Sequence, residues 1–136
     1  MAYLLMIDDN PQSQRYLERI IRLRSRHELA FAASSQEGIE SMVERRPDLI
    51  FLDLFIPGMD GFELFRTLRE HPATREIPIV IHTPVPFDQV TQLKLRRIQA
   101  DGVLEFPIEA SELLHVIKAA LDRRGRDVRR WVPPPA

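Results

Sequence analysis

The stretch LIFLDLFIPGMDG, residues 49–61, runs apolar for four residues, places Asp53, returns to Leu54-Phe55-Ile56 and then turns through Pro57 and Gly58. A nearly continuous apolar run bounded by turn residues fits a strand buried on both faces, as in a parallel sheet. An isolated carboxylate in such a run is costly unless something pairs with it. Asp53 is therefore the residue to explain.

Working outward, YLLMI (3–7) and IPIVIH (77–82) are equally continuous, GVLEF (102–106) is shorter, and ELAFAAS (28–34) is a weaker candidate for an edge strand. Helical patterns separate these runs. Asn10 and Pro11 suit an N-cap and first helical position, with Tyr16, Leu17, Ile20 and Ile21 on one face. Ser34 and Glu37 form a capping-box pattern before Ile39, Met42 and Val43. A third helix follows Met59-Asp60-Gly61 and carries Phe62, Phe65 and Leu68 inward, with Asp60 read as a turn and cap. Asp88 caps a fourth with Val90, Leu93 and Ile98 inward. The last starts near Ser111, with Leu113, Leu114, Ile117 and Leu121, and Gly125 as its C-cap.

Strand and helix alternate five times, which implies an α/β architecture with right-handed crossovers and helices on both faces of a parallel sheet. The length of 136 residues suits one domain with a single core, and 44% hydrophobic against 29% charged residues excludes a disordered chain. A net charge of −1 gives no global field for nucleic acid or membrane, and the absence of cysteine rules out disulfides and thiolate metal sites. No segment reaches membrane-spanning length and MAYLLMIDDN is too short for a signal sequence, so a cytoplasmic location is expected.

In open parallel sheets, ligands bind outside the carboxyl ends of the strands. Asp8 and Asp9 end the first strand, Asp53 lies near the end of the third and Thr83 ends the fourth. Three acids converging on one edge cannot all stay ionised without a cation between them. Hard oxygen donors suit Mg²⁺, which would also neutralise an incoming phosphoryl group, and a carboxylate can itself be the nucleophile. Taken singly, Asp8-Asp9 could be a capping loop and Thr83 an ordinary strand residue; together at one edge they describe a site.

MIDDN, PDLIFLDLFIPGMDGFELFRTLR, IPIVIHT and ADGVLEFP, in this order and spacing, resemble the receiver domain of two-component response regulators. The resemblance covers residue 3 to about 122 and implies a flavodoxin-like fold, a five-stranded parallel sheet of order 2-1-3-4-5 with helices on both faces. It implies that Asp53 is the phosphoacceptor, that Asp9 binds Mg²⁺ directly with Asp8 acting through water, that the Phe55 backbone carbonyl completes the metal site and that Thr83 is the switch hydroxyl. It also implies a sensor histidine kinase or phosphotransfer protein as donor. The downstream protein partner is then expected on the helix 4, strand 5 and helix 5 face of a monomer or phosphorylation-dependent dimer.

Three positions depart from the family pattern. Phe106 stands where a lysine normally precedes the proline of the fifth strand, Pro84 has no N–H to offer a phosphoryl oxygen, and Val103 replaces the fifth-strand aromatic that usually responds to the threonine. A lost charged hydrogen bond weakens the phosphate cradle by roughly 1.5–3 kcal/mol. Neither His82, expected to point to the face opposite Thr83, nor Lys94, far down the fourth helix, is expected to replace the lysine.

Two other classes fit less well. A haloacid-dehalogenase-type enzyme needs a second acid where Phe55 stands, and a flavodoxin needs a phosphate-cradling loop where DDNPQSQ puts two negative charges. The expected organisation is a receiver over 1–122 and a basic, proline-ending tail over 123–136, with Trp131 and an arginine cluster but no nucleic-acid role expected. The expected function is a stand-alone, non-enzymatic phosphoacceptor with at most residual self-phosphotransfer and autodephosphorylation. The alternative is a phosphorylation-independent pseudo-receiver that works by protein contact.

Overall fold

The computed structural model describes residues 1–83, 88–105 and 108–122. Strands and helices alternate along the chain as β1 (Tyr3–Ile7), α1 (Pro11–Arg24), β2 (Glu28–Ala32), α2 (Ser35–Glu44), β3 (Leu49–Asp53), α3 (Gly61–Glu70), β4 (Ile79–Thr83), α4 (Gln89–Arg97), β5 (Gly102–Glu105) and α5 (Ala110–Asp122). The strands form one parallel sheet in the order β2-β1-β3-β4-β5, the flavodoxin-like order expected. The chain steps outward from β1 to β2 and then crosses back to β3. The crevice at that reversal is where such sheets bind ligands.

Period-2 alternation sorts the sheet's side chains into two cores. Leu4, Met6, Leu49, Phe51, Val80 and Leu104 pack with Leu17, Ile20 and Ile21 of α1 and Leu113 and Ile117 of α5. Leu5, Ile7, Ile50, Leu52, Ile79 and Ile81 pack with Leu64, Phe65 and Leu68 of α3 and Leu95 of α4, and Ile39 and Met42 of α2 join them. Both faces of the sheet are covered, which is why its strands read as continuous apolar runs.

Local signals set the helix starts. The Asn10 side chain accepts from the Gln12 and Ser13 N–H groups, and Ser34 accepts from Glu37 N–H at 3.1 Å. Glu37 reaches back to Ala33 N–H at 2.8 Å, one residue beyond the usual capping box. Asp60 caps α3 through Phe62 N–H at 2.7 Å, and Asp88 caps α4 through Thr91 N–H at 2.7 Å. At the opposite edge of the sheet, Asp101 accepts from Arg69 at 2.6 Å and from Ile79 N–H at 2.8 Å, tying α3 to the starts of β4 and β5.

Several inward assignments change. Val43 is 82% exposed, and on α4 Val90 and Leu93 face solvent while Thr91 and Leu95 are buried, a rotation of the apolar face by about one position. A short helix with few apolar residues leaves its phase poorly marked, and packing decides it. Tyr16 is half-exposed, and its hydroxyl donates to the Ile108 carbonyl at the entrance to α5. The Thr83 hydroxyl, Pro84, Phe106 and residues 123–136, with Gly125 and Trp131, lie outside what the structure describes.

Candidate functional site

The carboxyl ends of β1 and β3 are neighbours, with Ile7 beside Leu52, so the next residues along, Asp8 and Asp53, emerge side by side. Asp8, Asp9 and Asp53 each bring a carboxylate oxygen within 4.8 Å of the others. Asp8 and Asp53 are buried and Asp9 is exposed, so the cluster opens to solvent on the Asp9 side.

Backbone contacts hold the two buried acids. Asp53 Oδ1 accepts from Phe55 N–H at 3.0 Å, and Asp8 Oδ1 accepts from Asn10 N–H at 2.9 Å. The Gln14 amide donates to the Asp8 carbonyl at 2.6 Å, while Asp8 N–H donates to Ala32 across β2. The loop after Asp53 is fixed by two glycines. Gly58 takes φ of +91°, a left-handed conformation glycine adopts without strain. Gly61 lies so close to β3 that a Cβ there would stand 2.5 Å from Leu54 Cα and 2.9 Å from the Asp53 carbonyl oxygen. The start of α3 is thereby pressed against the end of the acceptor strand. The Phe55 side chain is 57% exposed beside the cluster.

Electrostatics mark the pair as strained when ionised. Burial pushes the Asp53 carboxyl up to about 7, opposed by the Phe55 N–H and reinforced by the neighbouring Asp8 and Asp9 charges. Burial also raises Asp8, against the Asn10 N–H. Two adjoining buried carboxylates hold a proton between them more readily than two negative charges. Asp8 Oδ2 is buried and has no hydrogen-bond partner among the described residues. An acceptor-only donor set of three carboxylates, with one orphaned oxygen and an open side, fits a hard divalent cation that keeps several waters. These residues fit Mg²⁺.

His82 occupies a different place from the one its sequence position suggested. It lies on the face from which Asp8 and Asp53 project, and it is the direct neighbour of Asp53 in the β3–β4 register. Its Nε2 lies 3.8 Å from Asp8 Oδ2, and the ring is 1% exposed. Burial pushes the imidazole down to about 3, so at neutral pH the contact is between a neutral ring and a carboxylate rather than an ion pair. Alternation from Asp53 across the register would have found it; alternation from Thr83 did not. Lys94, by contrast, stacks its ammonium over the Phe62 ring at 5.4 Å, and Val103 is partly buried against the α3–α4 core.

Residues 4–118 match the family model described as "Response regulator receiver domain". Protein PilH of Pseudomonas aeruginosa is 30% identical over 122 residues, covering 89% of this chain and 98% of PilH. The transcriptional regulatory protein AfsQ1 of Streptomyces coelicolor is 35% identical over 127 residues, covering 93% of this chain; the chain spans about half, 54%, of AfsQ1's own length. Among solved structures, the signal receiver domain of a signal transduction histidine kinase from Syntrophus aciditrophicus superposes with a TM-score of 0.79 at 26% identity, over 93% of this chain and 95% of that one.

Proposed function

The chain belongs to the response regulator receiver family, and on that premise we propose that Asp53 accepts a phosphoryl group from a phosphohistidine on a sensor kinase or phosphotransfer protein. The observation that carries this is the convergence of Asp8, Asp9 and Asp53 within 4.8 Å at the reversal point of the sheet. An Asp53 carboxylate oxygen attacks phosphorus, an O–P bond forms as the N–P bond breaks, and the departing imidazole takes up a proton. Asp8, Asp9, Asp53 and the Phe55 carbonyl would hold Mg²⁺, which supplies charge neutralisation for the transferring group. The hydrogen bond from Phe55 N–H keeps Asp53 aimed along the loop. Thr83, at the end of β4, acts as the switch hydroxyl.

The receiver spans 1–122, and its output is a change in protein contacts rather than turnover of a substrate. The exposed Val90 and Leu93 on α4 supply apolar area on the α4–β5–α5 side for a downstream protein partner. A second reading is favoured by Pro84 and Phe106, which leave the cradle without a backbone donor and a cation. In that reading the same face binds a partner with no phosphate on Asp53. Intact-protein mass spectrometry after acetyl phosphate and Mg²⁺ separates the two. The first reading expects a gain of one phosphate, absent in Asp53→Asn; no gain, with acetyl phosphate and with a panel of phosphorylated histidine kinases, favours the second.

A further inference from the structure

The three acids account for cation binding and phosphate acceptance, and they leave His82 without a role. Its position is unusual for a polar side chain: 1% exposed, on the α1–α5 face of the sheet, above Val80 and beside Leu104 on the neighbouring strand. What it faces is Asp8 Oδ2, the buried carboxylate oxygen that has no hydrogen-bond partner among the described residues, at 3.8 Å. The other Asp8 oxygen is already engaged by Asn10 N–H.

We propose that His82 is a positioning residue for the cation site, its imidazole N–H backing Asp8 and holding that carboxylate toward Asp9 and Asp53. The proposal rests on the reading of the three acids as a metal site, and not on phosphate transfer. His82 stands behind the ligand set: the group of oxygens within 4.8 Å consists of the three acids without the imidazole. The separation of 3.8 Å is longer than a hydrogen bond, so the role requires the two side chains to draw together when the cation binds. A neutral imidazole has one N–H, so the role requires the Nε2–H tautomer and no change of protonation state. Hydrogen bonds to the ligands of a metal orient them, and losing such a contact typically costs about 10–100-fold in affinity.

The test is a calorimetric titration of the full chain with Mg²⁺ alone. His82→Phe keeps the ring and removes the N–H; it should weaken Mg²⁺ binding about 10–100-fold, and His82→Gln, which keeps a donor, should recover most of that loss. Binding by His82→Phe within about threefold of wild type, a change well short of the usual outer-shell effect, overturns the proposal. So does a His82→Gln variant as weak as His82→Phe. If His82→Phe does not fold, long-range ¹H–¹⁵N spectra of the wild-type imidazole decide: an Nε2–H tautomer whose signals move at the Mg²⁺ midpoint supports the role, and an Nδ1–H tautomer or unmoved signals refutes it. A chain that binds Mg²⁺ with this His82 dependence yet gains no phosphate refutes phosphate acceptance alone. Phosphate gain without His82 dependence refutes the positioning role alone, and a wild type that binds no Mg²⁺ refutes both.

Discussion

Replacing Asp53 with asparagine should stabilise the metal-free protein at alkaline pH. Asp53 is 3% exposed, and its carboxyl is raised from an ordinary value of 3.8 to about 7, chiefly by burial. Its folded pKa is above its unfolded one, so between about pH 4 and 7 the native state holds the extra proton and stability falls as pH rises. Above pH 7 the loss is complete. A gap of about three units at ~1.4 kcal/mol per unit sets the ceiling near 4 kcal/mol, and sharing of the proton with Asp8 leaves an expected effect on the order of a few kcal/mol. For a chain of this size that corresponds to about 10 °C in Tm. Thermal unfolding followed by circular dichroism in EDTA, from pH 4 to 8, measures it. The Asp53→Asn advantage should be absent near pH 4, grow to pH 7 and then level, and Mg²⁺ should raise the Tm of wild type and not of the variant. An advantage that does not change with pH, or no advantage at pH 8, refutes the account of Asp53 as a strained buried anion.

Other consequences are equally direct. Because the cation needs Asp53 ionised, and its carboxyl titrates at about 7, Mg²⁺ affinity should fall about tenfold from pH 8 to pH 6, measured by calorimetry; equal affinities contradict the assignment. Gly61→Ala places a Cβ 2.5 Å from the Leu54 backbone, so it should cost about 1–3 kcal/mol in urea unfolding and weaken Mg²⁺ binding by shifting the Asp53 loop. Asp101→Ala leaves the partly buried Arg69 guanidinium and the Ile79 N–H without their shared acceptor. It should cost about 2–4 kcal/mol while leaving Mg²⁺ affinity unchanged, because the clamp lies at the opposite edge of the sheet.

The fold was legible because its signals are local and redundant. Continuous apolar runs at Leu4–Ile7, Leu49–Leu52 and Ile79–Ile81 read as doubly covered strands, and Asn10, Ser34, Asp60 and Asp88 cap the helices they were expected to cap. Helix phase was less legible where apolar residues are few, as on α4, where burying Thr91 and Leu95 turns Val90 and Leu93 outward. The acid cluster was legible because each member ends or follows a strand and parallel strands bring those ends together. His82 was missed for a register reason. Alternation along one strand tells which residues share a face, but not which face the neighbouring strand's acids take. That needs the pairing of His82 with Asp53.

Asp53 as the proposed acceptor of the phosphoryl group is tested most directly by reductive trapping. After incubation with acetyl phosphate and Mg²⁺, borodeuteride converts an aspartyl phosphate to deuterated homoserine, which peptide mass spectrometry locates to a single residue. Homoserine at position 53, dependent on Mg²⁺ and at no other acid, is the predicted result. Homoserine at Asp8, Asp9 or Asp60, or none under conditions where a known receiver is labelled, contradicts it.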